Sequence, residues 1–295
     1  MKESRARADI NSDAKIYGLI GYPIAKSLSP VMHSAAFRKL KLNAVYALFE
    51  TQKNDFPGSV KKMKLMNIRG FNVTVPYKEE IIPLLDKLDE QARAIGAVNT
   101  VLNIKGSLIG YNTDAPGFIA SLNNELKFDP VNKNIFIIGA GGAARAIGFA
   151  LAKGKASSIT FYDTVSSRAE KLANDIGKIF KTCRVVTVPA AKREAEMLKE
   201  KSLLVNASTC GMKTGDPMPV DIKLLPKGIA VYDIIYNPTP TRLVRAAKAK
   251  GLRAVNGLGM LLYQGALAFE IWTGRSAPIE VMRAALNKAR KNKDR

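Results

Sequence analysis

From Lys15 to Asp114 the apolar positions fall in short runs separated by amphipathic stretches. Ile16 to Gly21 is followed by Pro30 to Leu42, Ala44 to Glu50 by Asp55 to Met66, and Gly70 to Val75 by Lys78 to Ile95. Short runs alternating with 3.6-period segments predict strand, helix, strand, helix. Ala97 to Asn103 and Ser107 to Tyr111 flank Lys105-Gly106, which predicts a hairpin on the same sheet. An α/β domain with a mixed sheet is therefore expected over residues 1–115.

At Val131 the alternation restarts, with six candidate strands: Ile135 to Ile138, Ser158 to Asp163, Arg184 to Pro189, Leu203 to Ser208, Ile229 to Ile235 and Arg253 to Asn256. Helical segments separate them, and parallel strands need such crossovers, so residues 116–256 are expected to form a Rossmann-type, doubly wound parallel sheet. Past Gly257, the apolar Met260 to Trp272 and the helix-like Pro278 to Lys291 have no further strand to serve. Residues 257–295 are expected to return as helices to the first domain, ending in a frayed basic tail, Lys288 to Arg295. A length of 295 residues accommodates two domains of this kind.

Charge narrows the partners. Lys and Arg outnumber Asp and Glu by 46 to 25, a net charge of +21, which attracts anions in general. The basic residues are scattered over helical faces, as in Lys61, Lys62, Lys64 and Arg245, Lys248, Lys250, without interleaved aromatics. That pattern reads as solvated faces that attract counterions and argues against nucleic acid; the small-molecule partner expected instead comes from the motifs below. A basic nucleic-acid-binding or regulatory protein on a degenerate enzyme fold is the alternative from another class. Cys183 and Cys210, the only cysteines, show no metal-ligand spacing, so neither a disulfide framework nor a zinc site is expected and a reducing, cytoplasmic setting fits. Met1 to Lys15 is charged, and no run approaches the ~20 apolar residues that cross a bilayer, so no membrane partner is expected. Monomer and homodimer both remain open.

Ile135 to Ile138 leads into Gly139-Ala140-Gly141-Gly142-Ala143-Ala144, an apolar strand running into a glycine turn and a helix, and Asp163 ends the next strand 24 residues after Gly139. Glycines there let the backbone approach a pyrophosphate, whose charge is stabilised by free amides at a helix N-terminus. A carboxylate at Asp163 accepts bonds from ribose hydroxyls and repels a 2′-phosphate, so of NAD and NADP the expectation is NAD. Arg168 is the counter-argument, since a guanidinium holds a phosphate.

Upstream stand Asn72-Val73-Thr74-Val75-Pro76-Tyr77-Lys78 and Tyr111-Asn112-Thr113-Asp114. A lysine beside a carboxylate moves a proton to or from an alcohol, and such a pair ahead of a dinucleotide turn points to a dehydrogenase. Lys78-Glu79-Glu80 is expected to begin a helix, placing the ammonium at a strand-to-helix corner. Ser27 and Ser29 lie two residues apart before Pro30; they can bind a carboxylate, although Ser29 can equally be the N-cap of the following helix. His33, the only histidine, has no ligand-type neighbour in sequence and is expected to be structural.

Together these residues resemble the shikimate dehydrogenase family, from about Ile16 to Gly274. The marks are Ser27-Leu28-Ser29-Pro30, Asn72-Val73-Thr74 through Lys78, Gly96-Ala97-Val98-Asn99-Thr100, Asn112-Thr113-Asp114, the glycine turn, Asn206-Ala207-Ser208, Tyr236-Asn237-Pro238 and Gly257-Leu258-Gly259-Met260 through Gln264. The resemblance implies reversible nicotinamide-dependent reduction of 3-dehydroshikimate to shikimate. It implies Lys78 as the proton-transfer residue with Asp114 as its partner, and Ser27 and Ser29 on the substrate carboxylate. Asn72, Thr74, Asn99, Tyr236 and Gln264 would complete the polar ring, while Ser208, Ile234 and Gly257 would join the glycine turn, Asp163 and Arg168 around the cofactor. One departure stands out: usual members carry Asn-Arg-Thr where this chain has Asp163-Thr164-Val165. It resembles the NAD-using branch that also oxidises quinate, although Ser29 is retained where that branch often has threonine. Shikimate is therefore expected first and quinate second.

Overall fold

The computed structural model describes residues 11–188, 198–213 and 215–293. The chain before Asn11, Pro189 at the end of the third expected strand, and Asp294 and Arg295 of the basic tail lie outside them. Two compact units emerge, one of Met1–Thr113 with Gln264–Arg295 and one of Asp114–Tyr263.

In the first unit, β1 (Lys15–Gly21) pairs in parallel with β2 (Ala44–Glu50) and β3 (Gly70–Val73), through crossover helices α1 (Ser29–Lys39) and α2 (Phe56–Leu65). β3 runs antiparallel to β5 (Thr100–Ile104), which returns as β6 (Ser107–Tyr111), and the short β4 (Lys87–Leu88) closes the order β2-β1-β3-β5-β6-β4. The sheet is mixed, as expected. Lys105 and Gly106 both have positive φ, 51° and 88°, the left-handed pair that a two-residue hairpin turn requires.

The expected helix over Lys78 to Ile95 is not there. Turns run from Val75 to Ile81, a single 3-10 turn covers Ile82–Leu84, β4 follows, and only then comes α3 (Glu90–Ile95). Pro83 supplies no amide hydrogen, and Asp86 Oδ2 accepts the Leu108 N–H at 2.7 Å, drawing the chain to the sheet. Helix restarts at Asp89, whose carboxylate caps the Gln91 and Ala92 amides, and stops at Gly96 with φ 70°.

One core of this unit joins Ile20, Phe71, Val73, Tyr77, Val98 and Val101. A second, aromatic layer holds Tyr17, Phe37 and Trp272, with Trp272 Nε1 donating to Val101 O at 2.9 Å. Trp272 belongs to α8 (Leu258–Thr273), and α9 (Ile279–Lys293) packs on α1.

In the second unit six strands are parallel throughout: β7 (Asn134–Ile138), β8 (Ser158–Tyr162), β9 (Arg184–Thr187), β10 (Leu203–Asn206), β11 (Ala230–Asp233) and β12 (Ala254–Asn256). Their order, β12-β11-β10-β7-β8-β9, is the doubly wound arrangement in which the direction of winding reverses at β7. Ligands of such sheets bind outside the carboxyl ends of the strands at that reversal, which is where Gly139 follows Ile138. α4 (Asp114–Ser121) is tied to the sheet by Tyr232 Oη, 2.6 Å from Ser121 Oγ.

Candidate active site

On the first unit Asn72, Asn99 and Gln264 form one buried network with Tyr46, Thr100 and Thr113. Asn72, inside β3, is 4% exposed; its Oδ1 accepts the Tyr46 hydroxyl at 2.7 Å, and its Nδ2 donates to Asn99 O and Thr100 Oγ1, each at 3.1 Å. Asn99 is the hub. Its Nδ2 donates to Thr113 Oγ1 at 2.9 Å and Gln264 Oε1 at 3.2 Å, while its Oδ1 accepts the Thr113 N–H at 2.7 Å. Each amide group is used in both senses, so the carboxamide orientations are dictated by the network rather than by packing alone.

Tyr46 was not anticipated as part of this arrangement, and Thr100 and Thr113, although they stand in the motifs quoted above, were given no role. Tyr46 carries no local mark, because its partner Asn72 lies on another element.

Ser27 and Ser29 come together at the start of α1. The N-cap position is Leu28, so Ser29 is the first residue inside the helix and not its cap, and Ser27 Oγ accepts the Ser29 N–H at 3.2 Å. Thr74 follows β3 directly and is half-buried.

Lys78, also half-buried, stands on the turn segment that replaced the expected helix, so no helix N-terminus lies beneath its ammonium. The segment is nevertheless fixed: Lys78 O accepts the Val98 N–H at 2.7 Å, Tyr77 Oη donates to Thr51 O at 2.6 Å, and the Tyr77 ring stacks on Phe56 at 3.9 Å. Asp114 is buried, at 4% exposure, as the first residue of α4, one peptide bond after the locked Thr113.

His33 lies behind the network. Its ring stacks on Tyr46 with centroids 4.5 Å apart and planes 5° apart, and neither ring nitrogen has a hydrogen-bond partner. Complete burial pushes its pKa down to about 3, so the imidazole is neutral.

On the second unit the glycine turn has the shape a dinucleotide needs. Gly139 has φ 106°, and a Cβ there would come within 2.9 Å of the Ala207 carbonyl group, so only glycine fits. A Cβ on Gly141 would meet nothing within 4 Å, which leaves open space at the start of α5 (Gly142–Lys153). That helix has neither a side-chain cap nor an acidic residue in its first turn, so its N-terminal amides and their partial positive charge are not neutralised from within. These features fit a pyrophosphate beside Gly139, Ala140, Gly141, Gly142 and Ala143.

Asn206 and Asp233 form a buried pair at the carboxyl ends of β10 and β11, Nδ2 to Oδ1 at 3.0 Å. Burial raises the Asp233 pKa to about 6, with bonds from Thr241, the Ile235 N–H and Asn206 opposing the rise. Ser208 Oγ donates to Asn206 Oδ1 at 2.7 Å, which places Ser208 on that pair. Ile234 and Tyr236, half-buried, flank Ile235, and a Cβ on Gly257 would overlap the Ile234 carbonyl oxygen. No cluster of His, Cys, Asp or Glu suited to a metal occurs among the described residues.

A mixed-sheet unit with a converging polar network, joined to a doubly wound unit with an open glycine turn, defines a two-domain dehydrogenase. The Shikimate dehydrogenase substrate binding domain matches residues 19–101, and the Shikimate 5'-dehydrogenase C-terminal domain matches residues 257–286. A shikimate dehydrogenase (NADP(+)) of Methanopyrus kandleri is 42% identical over 280 residues, covering 94% of this chain and 96% of that one. One from Carboxydothermus hydrogenoformans is 43% identical over 282 residues, 94% and 98% of the two chains. A crystal structure of a shikimate dehydrogenase in complex with NADP+ superimposes with a TM-score of 0.86 at 39% identity, covering 95% and 97%. The chain belongs to the shikimate dehydrogenase family.

The expectation that Asp163 selects NAD is not supported. Both curated relatives carry NADP(+) in their names. The structure supplies another occupation for the carboxylate: Asp163 Oδ2 accepts the Ala140 N–H at 2.8 Å and Oδ1 accepts the Val165 N–H at 2.9 Å. The acid at the end of β8 thus closes the glycine turn in this structure.

Proposed function

We propose that this chain is a shikimate dehydrogenase that interconverts 3-dehydroshikimate and shikimate with NADPH and NADP+. The observation that carries this is the joint presence of the Asn72, Asn99, Gln264 network and the open glycine turn in a chain that matches its relatives over 94% of its length. Ser27 and Ser29, joined at the start of α1, bind the substrate carboxylate. Asn72, Thr74, Asn99, Asp114, Tyr236 and Gln264 bind its hydroxyls. The dinucleotide supplies or accepts the hydride at the carbon bearing the reacting oxygen.

Lys78 handles the accompanying proton. In the direction of oxidation its amine takes the proton from the substrate hydroxyl as the hydride leaves; in reduction the ammonium returns it. Asp114 orients that hydroxyl and the lysine. Arg168, exposed on the first turn of α6 (Ser166–Ile179), binds the 2′-phosphate. A charge-assisted bond of this kind contributes roughly 1.5 to 3 kcal/mol.

Mixing the protein with shikimate and NADP+ should raise absorbance at the reduced-nicotinamide band, with quinate as the comparison substrate. Arg168→Ala should lower kcat/KM for NADP+ by about ten-fold and leave that for NAD+ within about two-fold. Equal use of the two cofactors by the unmodified protein would remove the NADP assignment while leaving the shikimate reading intact.

A further inference from the structure

The net charge of +21 has no part in the chemistry above, but it has a focus. Four neighbouring parallel strands of the second unit, β12, β11, β10 and β7, are each entered through a basic residue: Arg253 and Lys133 immediately before β12 and β7, Lys201 and Lys227 two and three residues before β10 and β11. Parallel strands start at the same end of the sheet, so these four cations gather there, Lys133 level with Lys201 in the register and Arg253 two residues further along. With Lys127 and Lys199 they line a cavity of about 420 Å³ whose only carboxylate among the described residues is Asp129.

We infer that this cavity is a second ligand site, for a compact oligophosphate, at the amino ends of the strands and so at the opposite edge of the sheet from the glycine turn. Among the described lining residues six cations stand against one carboxylate, an excess of five charges in one concavity, and such an excess is self-repelling unless an anion offsets it. Two of the cations are held in place. Lys201 Nζ donates to Thr160 Oγ1 at 2.7 Å, and Arg253 Nη1 donates to the Leu126 and Lys127 carbonyls at 3.2 Å each. An ammonium has three donors and a guanidinium five, so both groups have further donors for a ligand. Asp129 is itself engaged, accepting the Val131 N–H at 3.0 Å.

The shape decides between anions. A cavity of about 420 Å³ is the size of a small-molecule pocket, whereas an extended nucleic acid needs a longer groove with aromatic platforms, and the one aromatic lining residue, Phe128, is buried. Several phosphates joined in a short chain match the charge and the compact shape; the ligand can be the triphosphate end of a nucleotide or a short inorganic chain.

Calorimetric titration of the full-length protein, saturated with NADP+ to fill the glycine turn, checks this. Tripolyphosphate should bind with a stoichiometry of one, at least ten-fold more tightly than orthophosphate, and less tightly as salt rises. ATP added in a parallel titration tells a nucleotide from an inorganic chain: tighter binding than tripolyphosphate indicates the former and weaker binding the latter, and either keeps the site. The double variant K133A/K227A changes two exposed residues and should weaken tripolyphosphate by ten-fold or more while shikimate oxidation continues at its usual kcat/KM. Unsaturable binding, unchanged affinity in the double variant, or tighter binding of a single-stranded RNA oligomer than of tripolyphosphate would overturn the assignment.

Discussion

Replacing Lys78 with Ala should lower kcat for shikimate oxidation by about 10²- to 10⁴-fold, the usual contribution of a positioned proton-transfer group, with KM for shikimate changed by no more than a few-fold. The separation of the two constants follows from how the site is built. The groups proposed to grip the substrate, Ser27, Ser29, Asn72, Asn99 and Gln264, are held by bonds that do not involve the Lys78 side chain. The backbone of Lys78 is fixed through its own carbonyl and through Tyr77, so truncation at Cβ removes the amine without freeing the segment. Steady-state rates for K78A against K78M, whose side chain restores the bulk without the charge, separate proton transfer from packing. Both variants should be equally slow; full turnover in K78M would assign Lys78 a packing role.

Why some of this site could be read from the chain and some could not is a matter of distance along it. The glycine turn was legible because each requirement is local: an apolar strand, a residue at φ 106°, and an uncapped helix start all fall between Ile135 and Ala144. The parallel sheet was legible because strand and helix alternate regularly from Val131 onward. The segment from Lys78 to Ile95 was misread as helix because what breaks it is partly remote: Asp86 answers to Leu108 and Lys64, each 22 residues away. The Asn99 hub likewise reaches Gln264 across 165 residues, so its members could be named only through the family resemblance, in which Thr100 and Thr113 stood without a role and Tyr46 did not figure. Asp163 shows a different limit. An acid at the end of β8 accepts from turn amides here, a use the sequence does not distinguish from binding a ribose, so its presence does not decide the cofactor.

Acid should unfold the first unit through His33. In the native state its imidazole is neutral with a pKa of about 3, whereas in the unfolded chain it titrates near 6.5. Below pH 6.5 the unfolded chain therefore binds a proton that the folded one refuses, and stability falls as pH drops from about 6.5 toward about 3. The slope is about 1.4 kcal/mol per pH unit, and the full interval amounts to roughly 5 kcal/mol, a large part of the 5 to 15 kcal/mol that holds a typical domain together. Trp272, the only tryptophan, lies 5.3 Å from the His33 ring and reports on this unit by fluorescence. Urea titrations followed at that residue should show the His33→Phe variant losing about 1.4 kcal/mol per pH unit less than the unmodified protein between pH 6 and 4, because phenylalanine keeps a ring against Tyr46 but takes no proton. Since the Tyr46 hydroxyl is a donor to Asn72, the variant should also retain shikimate turnover after exposure to pH values at which the unmodified protein has lost it. Parallel stability curves for the two proteins across that pH range would mean that another group, not the histidine, sets the acid limit.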